Sequence, residues 1–440
     1  MADQGSALTG TFTLAAPRLP SMRLLLAGAG LLVLLTASVV LAIDAAAAPS
    51  FLVPGGRHAF PGWLSGPLSG LGERTTWNTL GTLLIAMIAG WALVLAGARA
   101  LPARALIGAI VAAHVVFLLA PPLLSADVFG YVGFARLGVL HHLNPYAFGT
   151  GSAAGDAVHP FLRWHDAMSP YGPLFTLLSY ALVPLGVAGA LWAFKTIAFA
   201  ASLATIALVW RLSERLGKDP RSAVVLVGLN PVLLAFEVGG GHNDALVMLG
   251  TVAGIGLVLS NRAASGTAAT VLAAAAKPSA ALVAPFAIIG SSDRRRALAG
   301  GAAALAAAGI AAWAGFGTHA LGFLHTAPPF SAGVAAHSVP AALARAVGGG
   351  SVTLGWRMLG AAIAVAVLCW ALWRAAHGAD WITCAGWATL AVLVTTTWLL
   401  PWYATWLTPL AALGDSRRLK IATVLFVIYA AATRITFIPT

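Results

Sequence analysis

Three features of this chain carry residue types suited to chemistry. The first is Asp127, in the stretch Ser125-Ala126-Asp127, immediately beyond an apolar run. A carboxylate at that depth must be hydrated or paired, and within hydrogen-bond reach of a hydroxyl it can act as a general base. Ser-x-Asp is also good helix-capping chemistry, so a structural account stands beside the catalytic one. The second is a glycine turn, Gly239-Gly240-Gly241, which follows Glu237 and leads into His242-Asn243-Asp244. It groups donors and acceptors at a helix junction, although such a turn needs no function of its own. The third is Lys277, just before Pro278 in an alanine-rich run. A cation there either snorkels or meets an anion.

Other polar and aromatic residues cluster with these. Tyr131 and Arg136 follow Asp127 at helical spacing, and His141, His142, Asn144 and Tyr146 come next. Pro401-Trp402-Tyr403, flanked by Trp398 and Trp406, reads either as an aromatic belt at a membrane interface or as a stacking platform. Tyr171-Gly172-Pro173 and Lys195 are candidates of the same kind. No dinucleotide fingerprint, P-loop, His-Glu-x-x-His or paired-cysteine spacing is present. The pattern predicts neither a metal site nor a cofactor.

The elements that position these residues are membrane helices. Of the 440 residues 60% are apolar and only 9% charged, against roughly a quarter charged in soluble domains. The net charge of +12 comes from 25 Lys and Arg against 13 acids. Its basic residues sit mostly in short loops, which marks a cytoplasmic face and predicts contact with membrane lipid rather than nucleic acid. The two cysteines, Cys369 and Cys384, lie in apolar runs.

Alternation of apolar runs and basic loops predicts an all-α polytopic bundle of about 13 spans in one integral-membrane domain, 1–440, with residues 1–22 as a cytoplasmic tail. The first apolar run, 24–42, is read as a retained helix, and 403–413 as a span. Residues 44–76, 123–170 and 316–352 form extracytoplasmic loops. The segment after Asp127 is predicted to be an amphipathic juxtamembrane helix with Phe129, Val132, Phe134, Leu137 and Leu140 toward lipid. Residues 171–186 are predicted to be re-entrant, and two short helices are predicted to meet at Lys277-Pro278 around a buried cavity.

Taken in order, Asp127 and Tyr131, Asn144-Pro145-Tyr146, Ser169-Pro170-Tyr171-Gly172-Pro173, Asn230-Pro231, Gly240-Gly241-His242-Asn243-Asp244, Lys277-Pro278 and Pro401-Trp402-Tyr403 resemble the GT-C membrane glycosyltransferases. The chain is most similar to the actinobacterial polyprenol-phosphomannose-dependent α-1,6-mannosyltransferases of lipomannan and lipoarabinomannan synthesis. The resemblance implies a polyprenyl-phosphate sugar donor, a glycan or glycolipid acceptor outside the cell membrane, and inverting transfer of a mannosyl (hexosyl) residue. It implies Asp127 as the base, and His242 is counted catalytic with it, suited to stabilising the leaving phosphate. Lys277, Arg136 and Lys195 would bind the donor phosphate. Tyr131, Asn144, Tyr146, Tyr171, Asn243, Asp244, Trp402 and Tyr403 would contact substrate. Some relatives carry two adjacent acids where this chain has Asp127 alone, and some have a large outer C-terminal domain. Acceptor recognition is therefore expected from the three loops, the last of which holds His319, His325 and His337. The competing reading is a transporter or flippase for a lipid-linked sugar, suggested by the broken helices.

Overall fold

The computed structural model describes residues 21–435 except 49, 57–59 and 325–332; His325 lies outside the described residues. Every regular element among them is helical. Five helical stretches are long and apolar enough to cross a bilayer: 22–45, 77–100, 183–215, 294–319 and 354–376. Shorter apolar helices occupy 103–119, 244–259, 263–276, 278–289 and 381–395. Small residues bring neighbouring helices into contact, as expected where apolar lipid offers no solvophobic drive. A Cβ on Gly30 would lie 2.7 Å from the Gly90 carbonyl oxygen, so helices Met22–Ala45 and Trp77–Gly97 nearly touch backbone to backbone.

Several predicted spans are not continuous helices. Residues 403–413 fall in the 3-10 turn Pro401–Trp406 and the six-residue helix Thr408–Leu413. Six helical residues rise only about 9 Å, and Pro401 and Pro409 start each piece afresh. The apolar run 222–238, where the alternation places another span, is divided between Pro220–Gly228 and a π-helical turn, Leu233–Val238, with Pro231 between them. Against about 13 expected spans, five helical stretches among the described residues have the length of a continuous crossing. At Lys277 the backbone is extended (φ −151°, ψ 122°) between helix Ala263–Ala276 and the 3-10 turn Pro278–Leu282, because Pro278 disfavours helical geometry at the residue before it. Residues 171–186 hold only the eight-residue helix Pro173–Tyr180 and a 3-10 turn, Val183–Leu185.

The helix after Asp127 forms as Asp127–Leu140, but its apolar side chains do not face lipid. Phe129, Val132, Phe134 and Leu137 are buried within the protein and only Leu140 is exposed. Phe129, Tyr131 and Phe134 join Phe175 and Phe194 in a separate apolar cluster, apart from the main core that runs through the N-terminal pair and the C-terminal third. Aromatic edge-to-face contacts hold it, with Tyr131 4.8 Å from both Tyr171 and Phe175. The seam between the two clusters is where the polar residues gather.

Candidate active site

A cavity of about 480 Å³ opens at this seam, with Phe134 and Tyr171 on one wall and Leu80, Leu400 and Trp402 on the other. Its size suits a sugar-sized ligand plus part of a chain. Asp127 is the sole acid among the described lining residues, against three cations: Arg163, Lys277 and Arg434.

Asp127 is placed by the first turn of its helix, where its backbone N–H donates to Ser125 Oγ at 3.2 Å. Its side chain is 23% exposed, so an edge of the carboxylate faces the cavity. Burial raises its pKa to about 6, against the opposing pull of the Lys277 ammonium. A carboxylate so tuned is a stronger base than an ordinary aspartate and still mostly ionised at neutral pH.

His242 touches this acid from the protein side. Its Nδ1 lies 3.6 Å from Asp127 Oδ2, its side chain has no exposed surface, and its ring stacks on Trp402 with centroids 3.9 Å apart. The Gly241 backbone, at φ +69°, turns the chain so that His242 N–H donates to the Glu237 carbonyl at 2.9 Å. His242, expected among the catalytic residues, is thus beside Asp127 but outside the cavity lining, and both of its ring nitrogens are buried without a hydrogen-bond partner among the described residues.

Lys277 is held by the segment it was expected to join. Its Nζ donates to Asp244 Oδ2 at 2.6 Å and to Asn243 Oδ1 at 3.4 Å, and lies 5.4 Å from the Tyr403 ring centre. Asp244, fully buried, also accepts from Trp406 Nε1 at 2.6 Å. Tyr131 donates to Asn243 Oδ1 and accepts from the Asn243 N–H, both at 3.2 Å. One network therefore joins Tyr131, Asn243, Asp244, Lys277 and the aromatic segment after Pro401. Of these, Lys277 and Tyr403 line the cavity; Tyr131, Asn243 and Asp244 support it from behind.

Other expected site residues are employed elsewhere. Arg136 Nε pairs with Asp156 Oδ1 at 2.8 Å, and His141 Nε2 lies 2.7 Å from Asp156 Oδ2. Burial alone would raise the Asp156 carboxyl, but Arg136, the Val158 amide and His141 together hold it below its ordinary value. Arg136 is thus neutralised and outside the cavity lining, so it is not placed to bind donor phosphate. Lys195 is fully buried and donates to the carbonyls of Phe117 at 2.9 Å and Gly239 at 2.7 Å. It fastens the glycine turn to the end of helix Ala103–Leu119 and cannot reach a ligand. Asn144 donates to the Phe316 carbonyl, and the buried Tyr146 hydroxyl donates to the Tyr171 carbonyl at 2.8 Å; both fix loop 141–171 from outside the cavity.

Two residues that the motifs did not single out complete the site. Arg163 and Arg434 both line the cavity, and Arg163 is a charge that acts on Arg434. Among the described residues neither forms an ion pair, and Arg434 Nε is buried without a hydrogen-bond partner. Neither guanidinium is paired with a described carboxylate, so with Lys277 they give the cavity more positive charge than Asp127 alone balances. Neither had a sequence signal beyond being basic, Arg163 in the expected outer loop 123–170 and Arg434 near the end of the last apolar run.

Residues 30–292 match the family described as alpha-(1->6)-mannopyranosyltransferase, N-terminal domain, and residues 335–440 match the MptB C-terminal domain. The chain is similar to alpha-(1->6)-mannopyranosyltransferase A of Mycobacterium tuberculosis, 32% identical over 225 residues, covering 48% of this chain and 41% of that protein. It is similar to the protein of that name in Corynebacterium glutamicum, 26% identical over 181 residues, covering 39% and 36%. A probable alpha-(1->6)-mannopyranosyltransferase of Mycolicibacterium smegmatis is 32% identical over 142 residues, covering 30% and 25%. The chain therefore matches less than half the length of each of these relatives. No solved structure matches it.

Proposed function

Because the chain belongs to the alpha-(1->6)-mannopyranosyltransferase family, which residues 30–292 match, we propose that it is a membrane glycosyltransferase that moves a mannosyl residue from a polyprenyl-phosphate donor to a glycan or glycolipid acceptor. The carrying observation is the pairing, in one cavity, of a single base with three cations: Asp127 against Arg163, Lys277 and Arg434. Transfer to form an α-1,6 bond in lipomannan- or lipoarabinomannan-type synthesis is the finer reading, and the basic loops at the other helix ends support a cavity that opens on the extracytoplasmic side.

In this reaction an acceptor hydroxyl oxygen attacks the anomeric carbon as the bond from that carbon to the phosphate oxygen breaks. A single displacement inverts the anomeric centre. The hydroxyl proton passes to Asp127, and the bonding electrons leave on the polyprenyl phosphate, whose added negative charge faces Arg163 and Arg434. Such charge stabilisation, preorganised before the bond breaks, is the largest contribution a site of this kind makes. Lys277, tied to Asp244, steadies the field between base and leaving group. Trp402, Tyr403 and Trp164 offer flat faces for the sugar, and Phe51, Trp77 and Leu80 an apolar path for the lipid.

Membranes containing the protein, supplied with polyprenyl-phosphate mannose and a short mannan acceptor, should form a longer glycan. Asp127→Asn should lose about 100- to 10,000-fold of that rate while the protein is still made. Full activity in that variant would overturn the assignment of the base. Movement of the lipid-linked sugar across vesicles without any glycan product would favour a flippase instead.

A further inference from the structure

A second groove, of about 610 Å³, lies at the opposite end of two helices that also reach the cavity. Helix Trp77–Gly97 presents Trp77 and Leu80 to the cavity and Leu95 to the groove; helix Arg417–Ala432 begins at the groove with Arg417 and ends just before Arg434. The 16 residues of helix Arg417–Ala432 rise about 24 Å at 1.5 Å per residue, most of the thickness of a bilayer's hydrocarbon core.

The groove changes character along its length. On helix Arg417–Ala432, Arg417, Lys420, Ile421, Val424 and Leu425 share one face at i, i+3 and i+4 spacing. That face is cationic in its first turn and apolar beyond it. The facing wall does the same, with Arg99 at the mouth and Leu95 one turn deeper. Ile421 and Leu425 are 50% and 62% exposed, so the apolar part is open along its side.

The mouth holds more positive charge than the protein neutralises. Arg99 pairs with Asp219 at 3.2 Å and Lys218 with Asp415 at 2.7 Å. Arg417 and Lys420 form no ion pair among the described residues. They also stand in the first turn of a 16-residue helix, where the backbone dipole favours an anion.

We propose that this groove binds one anionic phospholipid of the leaflet opposite the cavity, its phosphate between Arg417 and Lys420 and an acyl chain along Ile421, Val424 and Leu425. A free phosphate would engage only the mouth. A zwitterionic lipid would bring its own cation to a mouth already in positive excess. Only a lipid with net negative charge complements both parts.

The test uses the full chain in detergent, with phosphatidylglycerol, phosphatidylcholine and inorganic phosphate as probes, read by native mass spectrometry and thermal unfolding. Phosphatidylglycerol should stay bound and raise the unfolding temperature; the other two should not. Arg417→Gln with Lys420→Gln should weaken that retention about 30-fold, because both cations that hold the phosphate are then neutral. Ile421→Trp, which fills the trough from an exposed position, should weaken it with the charges intact. Arg163→Gln with Arg434→Gln, in the outer cavity, should leave it unchanged. Equal retention of phosphatidylcholine, insensitivity to both groove variants, or loss in the outer-cavity variant would each overturn the proposal, whether or not Asp127 is the base for transfer.

Discussion

The pKa of Asp127 makes the pH dependence of transfer a sharp test of its role. At about 6, the carboxylate is about 90% ionised at pH 7, half at pH 6 and about 10% at pH 5. A base must be unprotonated to accept the hydroxyl proton, so kcat/KM should rise with pH through 6 and fall about tenfold from pH 7 to pH 5. An aspartate at its ordinary value would lose less than a tenth over the same interval. Because kcat/KM reports the free enzyme, the relevant surroundings are those of the unliganded cavity: His242, Lys277, Asp244 and Arg163 around a partly open carboxylate. Of these Lys277 most strongly favours the ionised form, and it also neutralises Asp244. Lys277→Met should therefore move the profile to higher pH by about 1 unit, while Lys277→Arg should restore it. The assay is initial-rate mannosyl transfer at limiting donor across pH 5–8, in buffers of matched ionic strength. A kcat/KM flat between pH 5 and 7, or an unchanged profile in Lys277→Met, would refute the reasoning.

Replacing Arg163 and Arg434 singly by Gln should each lower kcat/KM about 10- to 100-fold, as expected for a charge-assisted hydrogen bond to phosphate; the double variant should cost less than the product of the two, measured by the same transfer assay. Asp156→Ala removes the partner of a mostly buried guanidinium and should destabilise the outer loop by about 3 kcal/mol, seen as a lower unfolding temperature. The sign follows from its depressed pKa: the stability it adds is full above about pH 4, the unfolded value, and is lost as pH falls through the lower folded value. Gly172 donates to the Ala276 carbonyl at 3.0 Å, and a Cβ there would collide with the Ala275 carbonyl. Gly172→Ala should thus push helix Ala263–Ala276 and the adjoining Lys277 outward, lowering transfer at least tenfold with the helical circular-dichroism signal intact.

The parts of the site legible in the sequence were those where a residue contradicts its surroundings. Asp127 beside an apolar run, Lys277 among alanines and His242 after three glycines all violate local composition, and the fold gathers them around Asp127 and Asp244. Arg136 violated it too, yet its partner Asp156 stands 20 residues away in sequence, and no periodicity announces a pair closed by a loop. Lys195 shows the same limit from the other side. A buried cation reads as ligand-binding, but the Phe117 and Gly239 backbone carbonyls, the second also accepting from the Leu123 N–H, satisfy it.

Arg163 and Arg434 were hidden for a different reason. Each is ordinary where it stands, near the end of an apolar run or in a polar loop, and becomes informative only because the fold turns both into one cavity, where neither forms an ion pair among the described residues. The same logic separates composition from topology. Proline-broken runs such as 401–413 are as apolar as a span but half its length, and the helix after Asp127 is apolar because it faces the cluster of Phe175 and Phe194, not because it faces lipid. Apolar sequence reports burial without saying whether protein or bilayer supplies it. The site depends on that difference: a helix bearing Asp127 that lay loose on the membrane surface could not hold its carboxylate against His242, whereas one packed into its own aromatic cluster can.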